Sequence, residues 1–316
     1  MGDGELPAET DTHCVVALDV GGTNIRGGVV GFPSARCLVR ETVPTLTARS
    51  GEAVLASALE LARSLMQRAA GTGLPMIGIG VGVAELVDLE GNVTSDLRIP
   101  WRGLPIRRSF SDLAPTLVES DVRAGALGEA FFGAGRQFRI FAYVTVGTGI
   151  AHSLVVDGEP YAGARGNALI LASSPLTTVC TECGAVLRPV LDDLASGPAL
   201  VSRYNRLGPA RAVHRAEEVV SALERGDGAA HLVVTAGGEA LGTSVGFLVN
   251  VVDPEAIIVG GGLGLAGGLY WDSFVSSTRA HIWSDTNRGI PILPAALGID
   301  AGVIGAAARV WQRAGS

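Results

Sequence analysis

Val15-Val16-Ala17-Leu18-Asp19-Val20-Gly21-Gly22-Thr23-Asn24-Ile25-Arg26-Gly27-Gly28-Val29-Val30 is the stretch on which the reading of this chain turns. It reads as a buried β-strand that runs out on a carboxylate, a glycine turn, and a second strand. Asp19 sits where the first strand ends, so its charge emerges at the strand end instead of inside the sheet. Gly21 and Gly22 can take positive φ and bare their N–H groups with no Cβ in the way. Thr23 adds a hydroxyl, and strand-forming residues resume at once, whereas a dinucleotide fingerprint would continue into a helix. A hairpin with a glycine tip and an Asp at its base suits a phosphate lined up with a metal ion. A plain tight hairpin explains the same residues, since Gly-Gly turns are common. On this stretch alone both readings stand.

Composition narrows the class. The chain has 316 residues, 47% of them hydrophobic and 17% charged, which is the profile of a globular protein with room for two cores. Its 44 glycines gather at strand ends instead of repeating at a fixed period. A formal net charge of −7 gives no broad attraction to nucleic acid or an anionic membrane, and neither is expected as a partner. The sequence holds no run of about 18 apolar residues, and the segment at Met1-Gly2-Asp3-Gly4-Glu5 lacks the basic and apolar regions of a signal peptide. A cytoplasmic protein is expected. Cys14, Cys37, Cys180 and Cys183 are too few for a disulfide framework and read as reduced thiols.

In chain order, residues 1–12 are polar and expected to fray. A third strand follows the hairpin near 38–43. Val54, Leu55, Ala58, Leu59, Ala62, Leu65 and Met66 recur at helical spacing over 51–70, and 76–83 is a buried strand punctuated by glycines. A turn at 88–93 and a short helix at 105–113 lead to a second unit. That unit opens with a strand, Thr116 to Ser120, ending on Asp121 and running into a helix. Ile140 to Val146, Gly147-Thr148-Gly149 and a strand from Ser153 to Val156 repeat the plan of the opening stretch. Such an echo predicts two related α/β halves facing each other across a cleft. Residues 191–227 and 233–252 read as helical, Ala256 to Val259 as a buried strand entering Gly260-Gly261-Gly262, and Ala301 to Gln312 as a terminal amphipathic helix.

Taken in order, the strand-Asp-Gly-Gly-Thr-strand hairpin, the strand-end Asp121, the Gly-Thr-Gly hairpin and the Gly-Gly-Gly loop resemble the ROK family of sugar kinases and repressors. The resemblance runs from about Val15 to Ala307 and includes Asp300-Ala301-Gly302-Val303-Ile304-Gly305-Ala306-Ala307. It implies an α/β, actin-like ATPase (ribonuclease H-like) fold with two lobes, residues 13–117 and 118–298, and a terminal helix, 299–316, returning to the first. It implies ATP and Mg²⁺ as cosubstrate and cofactor, and a homodimer. Gly21, Gly22 and Thr23 then face the β- and γ-phosphates, with Asp19 positioning Mg²⁺ directly or through water. Gly147, Thr148 and Gly149 form the opposing phosphate turn, and Gly260, Gly261 and Gly262 accommodate the nucleoside. Asp121 is the general base for the attacking hydroxyl. The simpler reading of Asp121 is the N-cap of the helix that follows.

The departures from the family lie around the acceptor. Ser120-Asp121 stands where the family has Asn-Asp, and Arg98 replaces an Asn before Pro100-Trp101. After Gly163-Ala164-Arg165-Gly166-Asn167-Ala168 the family shows Gly-Glu-x-Gly-His, and Ile170 and Ser173 take the places of that Glu and His. Arg98, Ser120, Asn167 and Asp192 are the candidate contacts to a polyol acceptor. Of the family's Cys-x-Cys-Gly-x-x-Gly-Cys only Cys180 and Cys183 remain, which is short of the four ligands of a structural zinc. His152 or His214 could add a third without motif support, and structural zinc is not expected. A kinase refitted to another polyol, such as a C7-cyclitol, is the favoured reading. An ordinary glucose or N-acetylhexosamine kinase and a catalytically weakened sugar-binding sensor are its alternatives. A DNA-binding repressor is disfavoured, because Asp19 comes too early for a preceding winged helix.

Overall fold

The computed structural model describes residues 10–45, 50–175, 178–209 and 211–315. In chain order the elements begin with β1 (His13–Val20), β2 (Asn24–Phe32), β3 (Arg36–Pro44), α1 (Gly51–Ala70), β4 (Met76–Val83), α2 (Ile106–Ser111), β5 (Thr116–Ser120) and α3 (Asp121–Phe132). They continue with β6 (Ile140–Val146), β7 (Ile150–Val156), β8 (Glu159–Pro160), β9 (Thr178–Val179) and β10 (Val186–Leu187). Then come α4 (Asp192–Ala195), α5 (Gly197–Arg206), α6 (Ala216–Glu224), α7 (Gly228–Val252), β11 (Ala256–Gly260), α8 (Gly268–His281), β12 (Ile292–Pro294) and α9 (Ala301–Ala314).

The chain forms two compact units. The first takes the residues up to Arg136, Gly158–Ala168 and the end of the chain from Ile299; the second takes Gln137–Asp157 and Leu169–Gly298. The boundary expected at 117/118 thus falls at 136/137. α3 belongs to the first unit because it packs on α9 at very short range. A Cβ on Gly305 would lie 1.7 Å from the carbonyl oxygen of Ala124, a distance only glycine permits. Of the segment expected to fray, residues 1–9 lie outside the described residues. Asp11 and Thr12 are tied down: Thr12 N–H donates to Phe32 O at 2.8 Å, and Asp11 accepts from the Ser34 N–H and hydroxyl, both at 2.9 Å.

In the first unit the sheet order is β3-β2-β1-β4-β5. β1 pairs antiparallel with β2 and parallel with β4, and β4 pairs parallel with β5. Val54, Leu55, Ala58, Leu61, Ala62 and Leu65 of α1 are buried in one core with Val16, Leu18, Val20, Ile79 and Val81. The Gly78-x-Gly80-x-Gly82 pattern of β4 faces the other way. A Cβ on Gly80 would meet Ala306 O at 2.1 Å, and one on Gly78 would meet the Val310 side chain at 2.9 Å. Glycine alternation therefore sets how closely α9 lies on the sheet.

In the second unit the strands run β12-β11-β6-β7. β6 and β7 form an antiparallel hairpin, with β11 parallel to β6. β7 begins at Ile150, three residues before the expected Ser153, because its ladder continues to Val146 beside the turn. The expected helical block 191–227 is broken at Ser196 and again between Arg206 and Ala216, giving α4, α5 and α6. α7 starts at Gly228, ahead of the expected 233, because Asp227 caps it by accepting from the N–H groups of Ala229 and Ala230.

α7 is long and apolar enough by length and composition to cross a membrane, although no uninterrupted apolar run of that length occurs, and more than half of the stretch is buried in the unit. Its glycines explain this. Cβ atoms on Gly238, Gly242 and Gly246 would meet backbone atoms of Tyr270, Phe274 and Thr278 on α8 at 2.5, 2.5 and 2.8 Å. The two helices touch backbone to backbone along that seam. α8 itself escapes the sequence reading because only Tyr270, Phe274 and Thr278, a narrow stripe, are buried. Gly242→Ala is expected to destabilise the protein by about 2–4 kcal/mol in urea unfolding, since neither backbone nor Ser277 can yield. Gly228→Ala, with nothing within 4 Å of its Cβ, should be neutral or slightly stabilising.

Candidate active site

The parallel strands of the first unit bring three acids to one end of the sheet. Asp19 stands one residue before the end of β1, opposite Arg26 in register, with its side chain 16% exposed and the Arg26 guanidinium 4.0 Å away. Burial raises its pKa and Arg26 opposes the rise. Gly302, in the first turn of α9, abuts it: a Cβ there would lie 2.7 Å from the Asp19 carboxylate carbon. The turn beyond is braced from β3's end. Buried Thr45 donates its hydroxyl to Gly21 O at 2.6 Å and its N–H to Thr23 O at 3.0 Å. Neither Gly21 nor Gly22 takes positive φ. Their value is space: a Cβ on Gly21 would crowd Asn24 O at 3.2 Å, and one on Gly22 would stand 3.7 Å from the Arg98 Cβ.

Asp121 opens α3. It is the first helical residue and not the N-cap, a place held by Ser120, whose side chain makes no capping bond. The Asp121 carboxylate accepts one N–H, from Val122 at 2.7 Å. Burial, then the Asp19 charge, push its pKa up to about 7, with Glu85 adding to the rise and Arg123 opposing it. The adjacent Ser120 hydroxyl is buried without a hydrogen-bond partner among the described residues. One turn on, buried Arg123 ion-pairs with Glu119 and donates to Val87 O at 2.7 Å and Gly166 O at 2.5 Å. It thereby pins the segment that carries Asn167, which is exposed. Gly166 has φ +79 and its Cβ would fall 2.1 Å from Val87 O, so glycine is required there.

In the second unit two glycine loops meet beyond the parallel strands β6 and β11. Gly261, at φ +82, would clash with Val146 O at 2.4 Å if it bore a Cβ, and a Cβ on Gly147 would lie 3.9 Å from the Gly262 nitrogen. Leu263 N–H bonds Val146 O at 3.0 Å, and Gly147 N–H closes the Gly147-Thr148-Gly149 turn on Gly149 O at 2.9 Å. Gly260 packs against Tyr143, while Gly262 has open space where a Cβ would be. Asp192 is joined to this turn. Its carboxylate accepts the N–H of Ile150 at 2.7 Å and the Ser173 hydroxyl at 3.3 Å.

Cys180 and Cys183 lie on the β9–β10 ribbon, half-buried and exposed. N–H groups of Cys183 and Glu182 and the Cys183 thiol bond the Cys180 sulfur and lower its pKa. Among the described residues no group of three or more His, Cys, Asp and Glu is arranged to hold a metal. His152 is buried in β7, neither ring nitrogen has a hydrogen-bond partner among the described residues, and burial pulls its pKa to about 4.

Three parts of the site escape the sequence reading: Thr45, Arg123 and Glu85. Only Glu85 carries a signal, an acid two residues beyond an apolar strand.

The chain matches the ROK family model over residues 15–313 and belongs to the ROK family. It is 30% identical over 318 residues to a glucokinase of Streptomyces coelicolor, covering 92% of this chain and 96% of that protein. Among solved structures it resembles a ROK family glucokinase from Streptomyces griseus in complex with glucose and AMPPNP, at a TM-score of 0.81 and 27% identity over 95% of this chain and 99% of the other. A ROK hexokinase from Thermus thermophilus aligns at a TM-score of 0.76 and 31% identity over 96% and 99%. The fold is that of the actin-like ATPases.

Burying Asp121 has a consequence for stability. Its pKa rises from 3.8 when unfolded to about 7 when folded. The folded protein therefore holds a proton that the unfolded chain releases, and stability falls as pH climbs through that window. Asp121→Asn removes the penalty. In urea melts the variant should gain little over wild type at pH 4 and gain on the order of 2–4 kcal/mol at pH 8. An equal gain at both values would contradict a buried, weakly partnered carboxylate.

Proposed function

We propose that this protein is an ATP-dependent kinase that phosphorylates a primary hydroxyl of a sugar or sugar-like cyclitol, with Asp121 as general base. The observation that carries the reading is the buried Asp121 carboxylate, placed at a strand end beside Asp19 with a pKa near neutrality. Membership of the ROK family and its likeness to a glucokinase and a hexokinase make the chain a phosphotransferase with an alcohol acceptor. A base matched to neutral pH is what an alcohol needs, since little else in phosphoryl transfer requires covalent help.

Asp121 accepts the alcohol proton as the oxygen attacks. Gly21, Gly22 and Thr23 present backbone and hydroxyl groups to the phosphates, and Gly147, Thr148 and Gly149 are assigned the same task in the second unit. Gly260, Gly261 and Gly262 leave bare backbone for the nucleoside. Asp19 fits Mg²⁺: it is a single, mostly buried carboxylate with one cation at 4.0 Å, and magnesium is commonly held by one or two carboxylates plus substrate phosphates. When bound there, Mg²⁺ supplies charge neutralisation for the phosphates. Ser120, with its unpartnered hydroxyl, is the foremost acceptor contact; Asn167 and Asp192 are the others. With Ile170 and Ser173 in place of the Glu and His that the resemblance leads one to expect, the pocket lacks two hydroxyl partners. A carbocyclic polyol without a ring oxygen or anomeric hydroxyl fits such a pocket. The resemblance supports a homodimer, and the sequence composition a cytoplasmic location.

A panel of hexoses, N-acetylhexosamines and C7-cyclitols tests the reading through acceptor-dependent ADP release. Asp121→Asn should cut kcat by about 10²–10⁴-fold. Wild-type kcat/KM should fall tenfold per pH unit on the acid side of about 7, as Asp121 takes up its proton. A variant as fast as wild type removes Asp121 as base, and no acceptor above the ATPase blank removes the kinase.

A further inference from the structure

Glu85, two residues beyond β4, has its side chain buried at 6% residue exposure. It accepts the N–H groups of Leu97 at 3.0 Å, Arg98, and Ile99 at 2.7 Å, together with the Ser95 hydroxyl. Ser95 accepts the N–H of Leu86 at 2.8 Å, which closes the knot on the strand end. Ile99 and Trp101 are fully buried just downstream, and Trp101 donates to Gly51 O at 2.9 Å. The main chain at Arg98 is therefore fixed on both sides, while the Arg98 side chain is exposed.

Its direction matters. The Arg98 Cβ stands 3.7 Å from where Gly22 would carry one, so the arginine leaves the backbone alongside the Gly21-Gly22-Thr23 turn. Asp19 stands two residues before Gly21 at the end of β1, and its charge and that of Glu85 act on Asp121 at the same end of the sheet. A polyphosphate brought to the turn meets carboxylates of its own sign, and a planar guanidinium matches phosphoryl oxygens in charge and geometry.

We propose that Arg98 contacts the phosphoryl group in transit, and that Glu85 is the positioning residue that holds Arg98 to it. This rests on the kinase reading above. In the step, the bond from the terminal phosphorus to the ADP oxygen breaks as the bond to the acceptor oxygen forms. The acceptor proton goes to Asp121, and Arg98 neither gains nor loses one. Its charge offsets the three equatorial oxygens.

A double-mutant cycle tests the coupling, with kcat and acceptor KM measured for wild type, Glu85→Gln, Arg98→Ala and the double variant. Arg98→Ala should lower kcat by about 10²–10³-fold with acceptor KM within a few fold. Glu85→Gln should lower kcat by about tenfold alone and add nothing to Arg98→Ala. Ser95→Ala, which removes one donor and no charge, should act like a milder Glu85→Gln and serves if the latter does not fold. Multiplying effects would make Glu85 merely structural, and a raised acceptor KM at constant kcat would make Arg98 an acceptor contact; either result overturns the proposal. If wild type phosphorylates nothing in the panel, the kinase reading has failed separately. Calorimetry with AMPPNP and ADP, each with Mg²⁺, then decides. Arg98→Ala and Glu85→Gln should each weaken AMPPNP about tenfold and leave ADP unchanged, and equal or absent losses overturn the proposal.

Discussion

The structure of the first unit depends on keeping carboxylates out of water with few partners of their own. Asp121 has one N–H bond, and Asp19 a guanidinium at 4.0 Å. Burial at this cost persists only if the surrounding backbone is fixed, and small residues do the fixing. Gly80, Gly302 and Gly305 let α9 lie against β4, the Asp19 carboxylate and α3 at distances no other residue allows. The helix starts help electrostatically. α3 begins at Asp121 and α9 one residue before Gly302, so two positive helix ends face the acids.

The second unit solves the opposite problem. Its turn at Gly147-Thr148-Gly149 follows the same hairpin plan but carries no acid at the matching strand position. The nearest carboxylate, Asp192, is bonded to the Ile150 N–H and the Ser173 hydroxyl, which reinforces the turn. Glycine on glycine, with Gly261 against Val146 and Gly147 beside Gly262, leaves backbone as the main surface on offer. One plan thus gives a charged end in one unit and a backbone-lined end in the other.

What the sequence makes legible follows from what is local. The hairpin, α1, the strand ending on Asp121 and the glycine loops all announce themselves through period and punctuation. The conformation of Gly21 and Gly22 does not, because the turn is shaped by Thr45, more than twenty residues away. Glu85 is equally hidden, since an acid after a strand says nothing of the four donors that will converge on it. The extent of the first unit is not local information, because the α3–α9 approach is a tertiary fact. The helical block 191–227 is interrupted because Ser196 caps α5 with its own hydroxyl, taking the N–H of Ala199, and so restarts the helix.

The acceptor contacts proposed above raise the question whether the segments around them are kept in shape or merely left over. Buried charge is informative here, because a buried ion that lacks partners costs several kcal/mol. Arg123 keeps all its bonds, to Glu119, Val87 and Gly166, and Glu85 keeps four donors. Neither contributes to a hydrophobic core, and apolar side chains would fill both places at lower cost. Their full satisfaction, with the Ser120 hydroxyl buried and without a partner among the described residues, is what the proposed acceptor contact would complete.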